Sequence, residues 1–222
     1  MIVADRKPLG DLLAMLEGTE KVLIAGCGTC VTVCLAGGEK EVALMGSALR
    51  MARKSEGNEI ITVETKIERQ CEWEFIDEVR DLAQDCDAVL SLACGAGVQA
   101  MATRLETVPV FPALDTQFIG IVEEQGVWTE QCKACGSCKL DRTGGICPVV
   151  RCAKSIMNGP CGGSQDGKCE IDQETDCAWH LIYDRLKGLG RLMILEELEP
   201  PKDWSTSSHG GPRTVRREDM IL

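Results

Sequence analysis

Eight of the fourteen cysteines, Cys132, Cys135, Cys138, Cys147, Cys152, Cys161, Cys169 and Cys177, fall within the 49 residues from Gln131 to Trp179. Packing does not call for thiols at that density, so this stretch is expected to fold around metal in place of an apolar core. The first three read C-x2-C-x2-C and Cys147 precedes Pro148, close to the pattern by which bacterial ferredoxins hold 4Fe-4S clusters. Eight residues separate Cys138 from Cys147 where the ferredoxin run has three, which leaves the fourth ligand open between Cys147 and a later thiol. A four-thiolate zinc site usually shows two C-x2-C knuckles. Here one triple knuckle is followed by scattered cysteines, and that favours a cluster on Cys132, Cys135 and Cys138. Cys152, Cys161, Cys169 and Cys177 are then the expected ligands of a further centre, cluster or zinc. Gly144-Gly145 and Gly162-Gly163 supply the backbone freedom of loops wrapped round an inorganic core.

A chain of 222 residues allows one or two domains, and its 4% aromatic content implies a mainly aliphatic core. It has no apolar run of membrane-spanning length. Residues 1–10 carry charges and a proline where a secretory leader has an apolar segment, so a cytoplasmic chain is expected. In that compartment cysteines point to metal or catalysis more than to disulfides. A net charge of -11 opposes nucleic acid and anionic membrane as partners.

Residues 1–125 alternate in period. Helical spacing over 8–16, 40–54, 73–84 and 98–105 separates strand candidates at 21–25, 59–65 and 87–93. Strands alternating with helices predict a small Rossmann-like α/β unit built on a parallel sheet. Residues 108–112 read as an extended, proline-marked passage, with an edge strand at 118–122. The expected domains are therefore 1–125, an irregular cysteine-rich metal-binding domain over 126–199, and a tail over 200–222 that orders against a partner.

Open parallel sheets collect their sites beyond the carboxyl ends of the strands. The first of the three strands runs into Gly26-Cys27-Gly28-Thr29-Cys30, with Cys34 following, and the third runs into Cys94. Cys27, Cys30, Cys34 and Cys94 are read as ligands of a second 4Fe-4S cluster, with Cys71, beyond the middle strand, as the rival fourth ligand. Val31 stands where a dinucleotide fingerprint needs its third glycine. Cys86 reads as a buried small hydrophobe. Glu68, Arg69, Glu72 and Glu74 read as a solvated face, and His180 and His209 as structural or solvated, so no acid-base constellation emerges.

Gly26-Cys27-Gly28-Thr29-Cys30-Val31-Thr32-Val33-Cys34, Glu68-Arg69-Gln70-Cys71, Cys132-Lys133-Ala134-Cys135-Gly136-Ser137-Cys138 and Asn158-Gly159-Pro160-Cys161-Gly162-Gly163 together resemble the methylenetetrahydrofolate reductase C-terminal-domain family, and within it the iron-sulfur subunits of MetVF-type reductases in acetogenic bacteria. The resemblance covers roughly residues 10–200. It implies two or more 4Fe-4S clusters and a MetF-type flavin-containing barrel subunit as partner, with electrons passed to that flavin from an upstream electron-donor protein. A flavin and folate barrel needs about 250 residues, so this chain is not the whole reductase. Two other readings stay open: a zinc-binding structural subunit, and a cluster enzyme with a substrate-binding iron.

Overall fold

The computed structural model describes residues 1–208 and 211–220. The chain divides into two compact units, Met1–Thr129 and Glu130–Leu222. His209 lies outside the described residues.

The first unit is mixed α/β. Its strands are β1 (Ile2–Arg6), β2 (Lys21–Cys27), β3 (Ile61–Ile67), β4 (Ala88–Leu92), β5 (Val110–Pro112), β6 (Leu114–Glu124) and β7 (Val127–Cys132), the last running across the division. Its helices are α1 (Leu9–Met15), α2 (Cys30–Val33), α3 (Glu39–Ser55), α4 (Trp73–Asp77), α5 (Arg80–Gln84) and α6 (Gly95–Leu105). A wholly parallel sheet has the order β3-β2-β4-β5, and a second, antiparallel sheet has the order β1-β6-β7.

The parallel sheet is buried on both faces, as the continuous apolar runs of β2 and β4 require. Val22, Ile24, Leu90 and Leu92 point into a core with Leu12, Val42, Met45, Leu49 and, from β1, Val3 and Ala4. The alternate residues Leu23, Ala25 and Val89 point into the other core, with Ile76, Val79, Ala83, Met101 and Leu105. Cys86 is buried in this second core, as its reading as a small hydrophobe requires.

Three details differ from the expectations. The helix over 73–84 is two short ones, because Val79 leaves helical geometry at φ -107°, ψ 4°. The strand expected at an edge over 118–122 is part of an eleven-residue strand that lies centrally in the antiparallel sheet, because β1 and β7 pair to either side of it. The passage at 108–112 holds a short strand at the edge of the parallel sheet, where Pro112 can be accommodated.

The second unit has little regular structure: α7 (Pro148–Arg151), α8 (Ala178–Gly188) and 3-10 turns at Leu192–Glu196 and Glu218–Met220. Its buried apolar cluster is Cys177, Trp179, Ile182 and Leu186, from the start and inner face of α8. Residues 202–207 pack back within this unit. Lys202 and Ser207 are buried, and Thr206 Oγ1 donates to the Cys135 carbonyl at 2.9 Å.

Candidate metal centres

Three neighbouring parallel strands each lead into a cysteine at the carboxyl edge of the sheet. Cys27 ends β2, Cys71 follows the turn after β3, and Cys94 caps the amino end of α6 just beyond β4. One buried side chain ties the three segments together. Gln70, wholly buried, donates from Nε2 to the carbonyls of Ala25 (2.8 Å) and Gly26 (3.0 Å), and its Oε1 accepts the Ser91 hydroxyl at 2.6 Å. Gly97 is required beside it, because a Cβ there would come within 3.0 Å of Gln70 Cβ and 2.8 Å of Ala93 Cβ.

The remaining two thiols of the region differ in setting. Cys30 opens α2 and is partly exposed. Cys34 caps the other end of α2, and its thiol faces the core, against the carbonyls of Val31 at 3.5 Å and Ala4 at 3.6 Å. Burial pushes the Cys34 thiol up. Burial also raises Cys71, and the neighbouring Cys27 and Cys94 thiols raise it further. The structure thus brings the Cys27 and Cys94 thiols close enough to Cys71 to raise it, and turns Cys34 toward the antiparallel sheet.

In the second unit Cys132, Cys135, Cys138 and Cys147 line a single cavity of about 930 Å³. The loop that carries the first three is tightly wound: Ala134 and Gly136 both have positive φ (50° and 76°), and the Ala134 N–H donates to Cys132 Sγ at 3.3 Å. Such amide donors stabilise a thiolate bound to metal. A Cβ on Gly136 would collide with Thr206, so the loop and the later chain meet closely.

Cys152, Cys161, Cys169 and Cys177 line a second and far smaller cavity, about 20 Å³. Cys177 caps α8. Burial pushes its thiol up, but the Ser164 hydroxyl and the backbone N–H groups of His180 and Trp179 outweigh this and hold it below the usual thiol value. The Trp179 indole donates to the Ile156 carbonyl at 2.9 Å, fixing the strap that leads to Cys161.

The donor sets and their volumes fit two kinds of occupant. A cubane spreads four thiolates over four irons and needs room, whereas one tetrahedral zinc draws four sulfurs to within roughly 4 Å of one another. Among the described residues no three His, Cys, Asp or Glu side chains are grouped to hold a metal ion.

His180 lies on the exposed side of α8, 3.5 Å from Asp184. Residue type did not single out Gln70, which ties the strand ends together, or Lys202, whose ammonium donates to the Ser137 carbonyl at 2.9 Å beside the cysteine loop. Gln70 stands in the Glu-Arg-Gln-Cys stretch, and its position directly before a cysteine was the one signal available. Among the described residues no helix is long and apolar enough to cross a membrane.

Comparison with curated proteins and with solved structures gave no match. Residues 111–205, which include all eight cysteines of the second unit, match the family model described as Methylene-tetrahydrofolate reductase C terminal, and over that segment the chain is similar to this family.

Proposed function

We propose that the chain is the iron-sulfur electron-transfer subunit of a methylenetetrahydrofolate reductase, delivering single electrons to a flavin on a MetF-type barrel partner. The observation that carries this reading is the cavity of about 930 Å³ onto which Cys132, Cys135, Cys138 and Cys147 all open, within the family-matched segment. Three thiols on a wound loop and a fourth at the start of α7, with an amide aimed at one sulfur, suit a 4Fe-4S cluster. A further cluster is proposed at the carboxyl edge of the parallel sheet on Cys27, Cys30 and Cys94, with Cys71 favoured over Cys34 as the fourth ligand because the Cys34 thiol is engaged in the core. When bound, the clusters would supply one-electron chemistry, which a flavin can convert to a hydride equivalent. The protein's own part is to position the thiols, exclude water and set the local charge.

The test is anaerobic purification followed by iron, sulfide and zinc analysis. Folate reduction by the barrel partner is then driven with reduced viologen, with and without this chain. Iron and sulfide in equal amounts and a rate that depends on the loaded chain are expected. Equal rates with clusters present, absent or mutated would sink the electron-transfer role.

The small cavity favours a second, compatible element: one zinc ion on Cys152, Cys161, Cys169 and Cys177. X-ray absorption at the zinc edge should then give four sulfurs at about 2.3 Å. About twelve irons per chain without zinc would place a third cluster there instead.

A further inference from the structure

The chain after Pro200 closes one side of the large four-cysteine cavity through Ser205, Thr206 and the stretch from Gly211 to Val215. In a protein of net charge -11, the charged side chains lining that cavity are Lys133, Lys139 and Arg213, with no Asp or Glu among the described residues. Lys133 is balanced by Glu130 at 2.7 Å and Lys139 by Glu199 at 2.6 Å. The cations of the later chain are placed differently. Lys202 is 7% exposed, and its ammonium donates at 2.9 Å to the carbonyl of Ser137, between Cys135 and Cys138. It also lies 5.4 Å from the centre of the Trp204 ring. Arg213 donates to the Thr206 carbonyl, and Thr206 in turn donates to the Cys135 carbonyl. None of the ion pairs among the described residues includes Lys202 or Arg213. The adjacent carboxylate, Asp203, accepts from the Ser205 N–H at 2.9 Å and is held below its usual value mainly by Ser205 and to a lesser extent by the Lys202 charge, without an ion-pair contact.

A buried ammonium satisfied by carbonyl oxygen and a ring face has hydrogen bonds but no full counter-charge, and such a charge is unfavourable until an anion compensates it. Four thiolates around one centre are a net anion. We infer that Lys202 and Arg213 are the counter-charges of the centre held by Cys132, Cys135, Cys138 and Cys147, so that the chain after Pro200 is a wall of this site and sets its reduction potential. The inference rests on the cluster reading given under Proposed function. Its physics is electrostatic: an added electron makes the centre one charge more negative, so fixed cations nearby favour the reduced state and raise the potential. Lys202 and Arg213 are positioning residues, acting through charge and through the loop carbonyls they bind.

The experiment uses the full chain, purified anaerobically, in wild-type, Lys202→Met, Lys202→Arg and Arg213→Met forms. Iron and sulfide are measured, and the paramagnetic signal is followed through a dithionite titration. The expected result is a more negative midpoint for the C-terminal centre in Lys202→Met and Arg213→Met, a wild-type midpoint in Lys202→Arg, and an unmoved N-terminal centre in all four. Loss of C-terminal iron in Lys202→Met with retention in Lys202→Arg would support the same conclusion, since only the charge separates them. Unmoved midpoints in both Met variants at full iron content would overturn the counter-charge role and leave the cluster reading standing. Wild-type protein without iron or sulfide would overturn both.

Discussion

Asn158 and Glu199 exchange a pair of hydrogen bonds, Asn158 Nδ2 donating to the Glu199 carbonyl and the Glu199 N–H donating to Asn158 Oδ1, both at 2.8 Å. The Glu199 carboxylate meanwhile receives Lys139 at 2.6 Å and Arg142 at 3.0 Å. Part of the Asn-Gly-Pro-Cys-Gly-Gly stretch is thus an anchor for the chain that enters the tail.

Asn158→Ala removes both bonds at once. Two partly solvated hydrogen bonds are worth about 1–2 kcal/mol together. Hydrogen exchange at the Glu199 amide should accelerate by about ten-fold or more, and proteolysis between residues 199 and 208 should quicken. An unchanged exchange rate would show that the Lys139 and Arg142 pairs alone hold the segment.

Gln70→Leu keeps the volume and leaves Ser91 and the carbonyls of Ala25 and Gly26 without their buried partner. The cost should be about 3 kcal/mol, read from the urea midpoint of the metal-free chain. A loss below about 1 kcal/mol would mean that water replaces the amide.

Cys34→Ala and Cys71→Ser should separate two roles that spacing leaves open. The Cys34→Ala chain is expected to keep its N-terminal iron and to lose about 1 kcal/mol from the truncated core side chain. The Cys71→Ser chain is expected to lose that iron or its paramagnetic signal. The opposite pattern returns Cys34 to the ligand set.

Asp77 lies between Arg80 (2.9 Å) and Arg104 (2.6 Å), and the hydrogen bonds from Arg104 and then Arg80 hold its carboxyl far below the usual carboxylate range. A depressed folded value means that its stabilisation is present above the unfolded value of about 3.9 and is lost as pH falls through the folded one. Asp77→Asn should therefore weaken the chain at pH 7 and flatten the acid branch of its stability curve. A carboxyl carbon resonance for Asp77 that titrates near pH 4 would contradict the assignment.

The parallel sheet was legible because Val22 and Ile24 face one core and Leu23 and Ala25 the other, which leaves no polar residue to blur the run. The antiparallel sheet was not. Ile2–Arg6 offers three apolar residues before its charges begin, and its partner strand starts at Leu114, far along the chain. The β6–β7 hairpin turns on Gly126 at φ 91°, a short-range signal that the polar residues beside it obscured. Spacing grouped Cys30 with Cys34 because both sit on one short loop, yet it carries no information on which way a thiol points. Contact between Lys202 and the Cys135–Cys138 loop spans 65 residues and has no periodic trace.

Among the described residues the apolar cluster of the second unit has four buried members, Cys177 and three residues of α8, with Ile146, Cys152, Leu192 and Ile194 packed against them, against two extensive cores in the first unit. So small a nucleus contributes little of what 93 residues need to stay ordered. On the metal reading proposed above, occupancy of the thiol sites and persistence of this half in the cell become one quantity. Where iron or zinc is scarce, newly made chains should keep the sheet intact while proteases remove everything that follows it.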